Sequence, residues 1–192
     1  LKGSFFFIFF ISICLFVTAF EWYQMSKKKI FFFPGLFFLI GSFYLTYLFR
    51  FDNNDESFLL FLSVILICVA TDIGGYIFGK IFKGPKLTKI SPNKTYAGMF
   101  GGYILSIISL NIFINYGSQN FIEEVKFTPE IFILILIIST ISQLGDLIVS
   151  YFKRISKIKN TGKIIPGHGG LLDRIDGMIF ALPFAYIIIK LF

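Results

Sequence analysis

The last third of the chain gathers carboxylates, hydroxyls and cations at spacings that suit phosphate chemistry. Asp146 and Ser150 are four residues apart and Lys153 is seven from Asp146, so all three share one face of a helix. Basic residues continue through Lys153, Arg154, Lys157, Lys159 and Lys163. A glycine-rich turn, Pro166-Gly167-His168-Gly169-Gly170, then leads into Asp173-Arg174-Ile175-Asp176. Phosphoryl and nucleotidyl transfer demand charge neutralisation more than covalent help. Carboxylates hold Mg²⁺, which takes one or two protein carboxylates together with phosphate oxygens and water. Arginine meets phosphate oxygens as a fork and lysine as a point charge. Glycines let backbone approach a phosphate, and a helix start near 171–174 would offer free N–H groups to an anion. His168 is the one histidine in the chain, which argues against zinc. Taken singly, the lysines could equally anchor a loop to anionic lipid, at about 1 kcal/mol per charge. That account explains neither the aspartates nor the Gly-His-Gly-Gly turn.

The elements that must position these groups are apolar helices. Of 192 residues, 56% are hydrophobic, which leaves too little polar surface for a soluble domain of this size. The 28 phenylalanines reflect a compositional bias rather than an aromatic binding role. Six apolar segments fall at about 4–25, 31–49, 58–79, 98–115, 130–152 and 175–192. Each is near the ~20 residues needed to cross ~30 Å of hydrocarbon as a helix. Backbone groups in lipid must pair internally, so helices are the expected form. The last segment is the shortest and carries Pro183, which predicts a kink. The first has only Lys2 before it and no small-residue cleavage site after it, so it reads as a span rather than a removable signal. Cys14 and Cys68 lie inside apolar runs and read as small buried residues. The expectation is an all-α, polytopic membrane protein of about six spans, a single transmembrane domain over 1–192.

Charge fixes the orientation. The links at 26–30, 80–97 and 153–174 carry 14 of the 18 basic residues. The other two links hold Arg50 and Lys126 beside Asp52, Asp55, Glu56, Glu123, Glu124 and Glu130. The positive-inside rule places the three basic links in the cytoplasm and both termini outside. The remaining acids, Glu21, Asp72, Asp146, Asp173 and Asp176, all lie near cytoplasmic span ends or in the last cytoplasmic loop. Carboxylates are costly in a bilayer and mark a cavity, an ion or a partner.

The run Ser150-x-Phe152-Lys153-Arg154-x₄-Lys159-Asn160-x-Gly162-x₂-Ile165-Pro166-Gly167-His168-Gly169-Gly170-Leu171-x-Asp173-Arg174-Ile175-Asp176 resembles the phosphatidate cytidylyltransferase family pattern almost end to end. A second block is similar to the family's other cytoplasmic loop: Asp72-Ile73-Gly74-Gly75-Tyr76-x₂-Gly79-Lys80, then Ser91-Pro92-Asn93-Lys94-Thr95-Tyr96-Ala97-Gly98. Two positions depart: Asn160 stands where the family usually has aspartate, and Ala97 where it commonly has an acid. For Gly75-x₃-Gly79 and Gly98-x₃-Gly102 alone, close helix packing is the preferred reading. The resemblance covers about 70–192 strongly, and the chain is shorter at its N-terminus than family members.

The resemblance implies transfer of a cytidylyl group from CTP to phosphatidate, giving CDP-diacylglycerol and pyrophosphate, at the cytoplasmic face of a bacterial inner membrane. It implies Asp146 and Asp173 as Mg²⁺ carboxylates, with a second metal or a monovalent cation left open. It implies Lys153, Arg154, Lys159 and Arg174 on the phosphates. Lys94, Thr95, Ser150, His168, Gly169, Gly170, Asp72 and Asp176 complete the expected binding set. CTP and phosphatidate are the expected partners, with no nucleic acid; a homodimer is the family analogy. Three alternatives stay open at this point: a transferase for another lipid or polyprenyl phosphate, a transporter using the aspartates as intramembrane ligands, and a degenerate family member.

Overall fold

The computed structural model describes residues 4–51, 55–117, 127–164 and 169–191, and in these helices carry the fold. They are α1 (Ser4–Ser26), α2 (Phe32–Phe51), α3 (Asp55–Phe82), α4 (Tyr96–Ile112), α5 (Pro129–Ile155), α6 (Leu172–Ile175) and α7 (Met178–Leu191), with a π-helical turn over Phe113–Gly117 closing α4. Five are long and apolar enough to cross a membrane: Phe5–Ser26, Phe32–Phe51, Ser57–Phe82, Tyr96–Asn115 and Pro129–Ile155. The expected sixth span is divided. The single turn of α6 ends at Ile175, the chain bends at Asp176 and Gly177, and α7 runs for only 14 residues. At 1.5 Å per residue, α7 alone covers about 21 Å, short of the ~30 Å hydrocarbon core. Pro183 lies inside α7 and does not end it.

Large apolar side chains cover the outside of the bundle, with Phe5, Phe16 and Phe37 each more than 70% exposed. Such a surface suits hydrocarbon, where burial between helices gains little over contact with lipid. Packing and interhelical hydrogen bonds must then hold the helices together, and both are present. Ser42 Oγ donates to the Ile179 carbonyl (2.6 Å), Thr71 Oγ1 to Ser139 Oγ (2.9 Å), and Tyr103 OH lies 2.8 Å from Thr140 Oγ1. Trp22, buried between α1 and α2, donates from Nε1 to the Phe32 carbonyl at 3.0 Å. Two apolar clusters fill the interior. One joins Phe49, Val64, Ile67, Cys68, Ile135, Ile138 and Ala185; the other joins Trp22, Leu39, Phe43, Val149, Leu172 and Ile179. Both cysteines are free, Cys68 fully buried and Cys14 only partly so.

The closest pair is α3 with α4, and glycine makes it close. A Cβ on Gly98 would stand 2.6 Å from the Gly75 carbonyl oxygen and 3.3 Å from Gly79 Cα. A Cβ on Gly74 would fall onto the Gly101 backbone, its carbonyl carbon 2.9 Å away. The packing reading therefore holds at Gly79, Gly98 and Gly102, whereas a Cβ on Gly75 would make only ordinary contact, 3.7 Å from the Gly98 carbonyl oxygen. Gly41 on α2, by contrast, has open space at its Cβ position. Gly74→Val should lower stability by roughly 1–3 kcal/mol through overpacking, whereas Gly41→Ala should leave it unchanged or raise it slightly. The midpoints of denaturant unfolding of the two variants in detergent check this contrast.

Candidate active site

A cavity of about 380 Å³ opens among α3, α5, α6 and the loop before α4. It is lined by Asp72, Asp146, Asp173 and Asp176, by Lys94, Lys153 and Arg174, and by Thr71, Ser91, Asn93 and Gln143. Asp72 comes from α3 and Asp146 from α5, two helices that pack directly together, while Asp173 lies in α6 and Asp176 at the bend. Glycine again sets the spacing. A Cβ on Gly145 would meet Phe180 Cδ2 at 2.6 Å and the Asp176 carbonyl oxygen at 2.9 Å. A Cβ on Gly177 would meet the Ser142 carbonyl oxygen at 2.9 Å. Because Gly145 precedes Asp146 and Gly177 follows Asp176, this approach sets those two carboxyls face to face. The bend that shortens the last helix is thus what turns Asp176 inward.

Two lysines, one from the loop before α4 and one from the last turn of α5, meet two of the carboxylates. Lys94 Nζ forms an ion pair with Asp146 Oδ2, and Ser150 Oγ donates to Asp146 Oδ1 at 3.3 Å. Lys153 Nζ lies 2.8 Å from Asp173 Oδ1, with both side chains about nine-tenths buried. Asp173 Oδ2 accepts from the Thr161 and Gly170 N–H groups at 2.9 and 3.0 Å. Burial pushes the Asp173 carboxyl up, but the Lys153 ammonium and the two backbone donors outweigh it and hold it below the usual carboxylate range. Asp176 is buried and its Oδ1 accepts from the Gly177 N–H at 2.9 Å. Its carboxyl and those of Asp72 and Asp146 act on one another across the cavity. Four carboxyl groups therefore face two lysines and Arg174.

That excess of carboxyl groups fits a bound cation. Among the described residues, no three carboxylate, histidine or cysteine groups form a ready-made metal cage. Mg²⁺ does not require one, since it takes few protein oxygens and fills its shell with water and phosphate. The donor set is all oxygen, which matches a hard cation and not zinc.

Most expected residues converge here: Asp72, Lys94, Thr95, Asp146, Lys153, Asp173, Arg174 and Asp176 line the cavity, and Ser150 touches it through Asp146. Thr95 has a further task. Its hydroxyl accepts from the Gly98 N–H at 3.1 Å as the N-cap of α4. Arg154 is outside the lining; its guanidinium donates to the Ile90 and Ile158 carbonyls at 3.3 and 3.4 Å, joining the two basic loops. Lys159 is exposed and also outside the lining. His168 lies outside the described residues. Gly169 has φ +91°, a conformation that favours glycine, and its missing Cβ leaves room for Asp173 Oδ2.

The free N–H groups expected near 171–174 are already engaged. Leu171 and Leu172 donate to the two oxygens of Glu21 on α1, each at 2.8 Å, and Thr161 Oγ1 donates to Glu21 Oε2 at 2.9 Å. Gly170 has a packing reason to be glycine, because Glu21 and Thr161 occupy the space a side chain would need. Glu21 is the residue that sequence reasoning did not place in the site. Its signal was a lone carboxylate at the end of an apolar helix, where an unpartnered charge would be costly.

Known proteins resemble this chain along most of its length. The model of the Cytidylyltransferase family matches residues 3–192. A protein of Staphylococcus aureus (strain COL) named phosphatidate cytidylyltransferase is 37% identical over 171 residues. Proteins of the same name from Staphylococcus epidermidis and Staphylococcus saprophyticus are each 35% identical, over 168 and 171 residues. In each case 86% of this chain is covered, and the chain spans 63% of the relative's length. With its sequence matched from end to end by the family's model and its aspartates and lysines gathered around one cavity, the chain belongs to the cytidylyltransferase family.

Proposed function

We propose that this cavity transfers a cytidylyl group from CTP to phosphatidate at the cytoplasmic face of a bacterial inner membrane. The observation that carries the reading is the meeting of the Lys94–Asp146 and Lys153–Asp173 pairs in one cavity at the basic end of the membrane helices. The names of the staphylococcal relatives support the choice of CTP and phosphatidate. The charge pattern supports the cytoplasmic side, because the cavity is built from the loops that hold most of the lysines.

The reaction needs no nucleophilic side chain. Phosphatidate carries a phosphate monoester of about −1.5 to −2 charge, and one of its oxygens attacks the α-phosphorus of CTP. The new P–O bond forms as the bond between the α-phosphorus and the bridging oxygen breaks, and that oxygen leaves with pyrophosphate. Asp146 and Asp173 are the residues that would hold Mg²⁺, with Asp176 facing Asp146 as a further donor. When bound, the ion supplies charge neutralisation to the phosphates. Lys94, Lys153 and Arg174 line the same cavity, where their cationic groups would meet phosphate oxygens. Arg154 ties the end of α5 to the loop before α4 through the Ile90 carbonyl. The lipid tails stay among the apolar helices while the headgroup reaches the boundary.

Asp146→Asn and Asp173→Asn should each lower turnover by about two orders of magnitude or more while the protein remains inserted. Pyrophosphate release from CTP in mixed micelles with phosphatidate measures this; unchanged turnover in either variant removes it from the metal assignment. Arg154→Ala should cost less than Lys153→Ala, because Arg154 touches two carbonyls outside the cavity lining; an equal loss would place its guanidinium on substrate. Chelation with EDTA should abolish turnover and added Mg²⁺ restore it, whereas EDTA-resistant turnover would contradict the metal. Offering other lipid phosphates in the same assay tests the acceptor, and preference for one of them over phosphatidate would reassign the substrate.

A further inference from the structure

Glu21 is the most completely buried carboxylate among the described residues, 1% exposed, yet it stands on α1, far in sequence from the cavity motifs. Each of its oxygens is used. Oε1 accepts from Leu171 N–H, and Oε2 accepts from Leu172 N–H and Thr161 Oγ1. The neighbouring donors of the same two segments go elsewhere: Thr161 N–H and Gly170 N–H both donate to Asp173 Oδ2. Two carboxylates are therefore clamped by one pair of backbone segments, Glu21 on the side of α1 and Asp173 on the side of the cavity. Holding Oδ2 in this way leaves Oδ1 turned to Lys153. Gly162 and Gly170 fit the same reading, since a Cβ at either position would collide with the Glu21 carboxylate.

We infer that Glu21 is a positioning residue for Asp173: it fastens the 161–162 and 170–172 segments to α1, and so fixes which Asp173 oxygen faces the cavity. The inference rests on the proposed function for its kinetic consequence, but not for the clamp itself. Glu21 touches no lining group of the cavity other than through these segments. Among the described residues three donors sustain its burial, since a buried carboxylate is tolerated only when it is hydrogen-bonded or paired. Replacement by glutamine keeps the shape but turns one acceptor oxygen into an N–H donor. Whichever way the amide is turned, at least one backbone N–H among Leu171 and Leu172 then faces a donor. The segment must shift, and Asp173 Oδ2 loses the alignment of its two N–H partners.

The test uses Glu21→Gln in purified protein, with two readouts. Amide hydrogen exchange without substrate should accelerate about tenfold or more at Thr161 and Gly170 to Leu172, while the amides of α3 to α5 keep their protection. In the CTP and phosphatidate assay, turnover should fall about tenfold or more and the half-saturating Mg²⁺ concentration should rise, with the KM for phosphatidate within about twofold of wild type. Unchanged exchange at those amides overturns the clamp, and so does acceleration spread evenly through the bundle, which is the mark of a merely structural role. Local acceleration with unchanged turnover and Mg²⁺ dependence overturns the positioning of Asp173. If wild type itself makes no product from CTP and phosphatidate, the proposed function falls and the exchange arm still decides the clamp. If Glu21→Gln does not insert, Thr161→Val replaces it. That variant removes one bond to Glu21 and keeps the Thr161 N–H on Asp173, and it should shift exchange in the same direction by a smaller factor; no shift overturns the inference.

Discussion

Carboxylates that have no business in hydrocarbon meet at the end of a helical bundle, and one lysine from the loop before α4 and one from the end of α5 pair with two of them. Lys94 comes from the segment between α3 and α4, and Lys153 from the end of α5. Neither ion pair is local in the loop sense, so each fastens one part of the chain to another. An ion pair of this burial contributes little net stability, because desolvation offsets its Coulomb energy. Its value lies in what replaces it. In the proposed reaction Asp146 and Asp173 would serve a cation, and Lys94 and Lys153 would then be open to phosphate oxygens.

The helices serve this end by being able to approach closely. Gly74, Gly98 and Gly101 bring α3 against α4, and Gly145 and Gly177 bring α5 against the bend before α7. In lipid, apolar contact alone does not drive helices together, so small residues and the hydroxyl bonds of Ser42, Thr71 and Thr140 carry the association. The bend before α7 places Asp176 beside the Gly145 backbone.

Much of this was legible in the residues. Apolar run lengths located the long helices, and lysine asymmetry grouped the loops. The four-residue and seven-residue spacings correctly joined Asp146, Ser150 and Lys153 on one helical face. Three things were not legible. The division at Asp176 and Gly177 depends on contact with Ser142 and Gly145 of α5, which no local signal reports. Arg154 and Lys153 are adjacent cations, and only the position of the Ile90 carbonyl separates their tasks. The use of Leu171 and Leu172 N–H groups by Glu21 joins residues 150 and 151 positions apart. A glycine-rich turn before a helix start reads as a phosphate cradle in sequence, and here an internal carboxylate already occupies that place.

The central claim is that the Asp146 and Asp173 carboxylates, from α5 and α6, serve one cation. Electron paramagnetic resonance of Mn²⁺ added to the purified protein with CTP measures it directly. The account predicts a bound Mn²⁺ signal in wild type that is lost in both Asp146→Asn and Asp173→Asn. A bound signal that survives in either variant would contradict it.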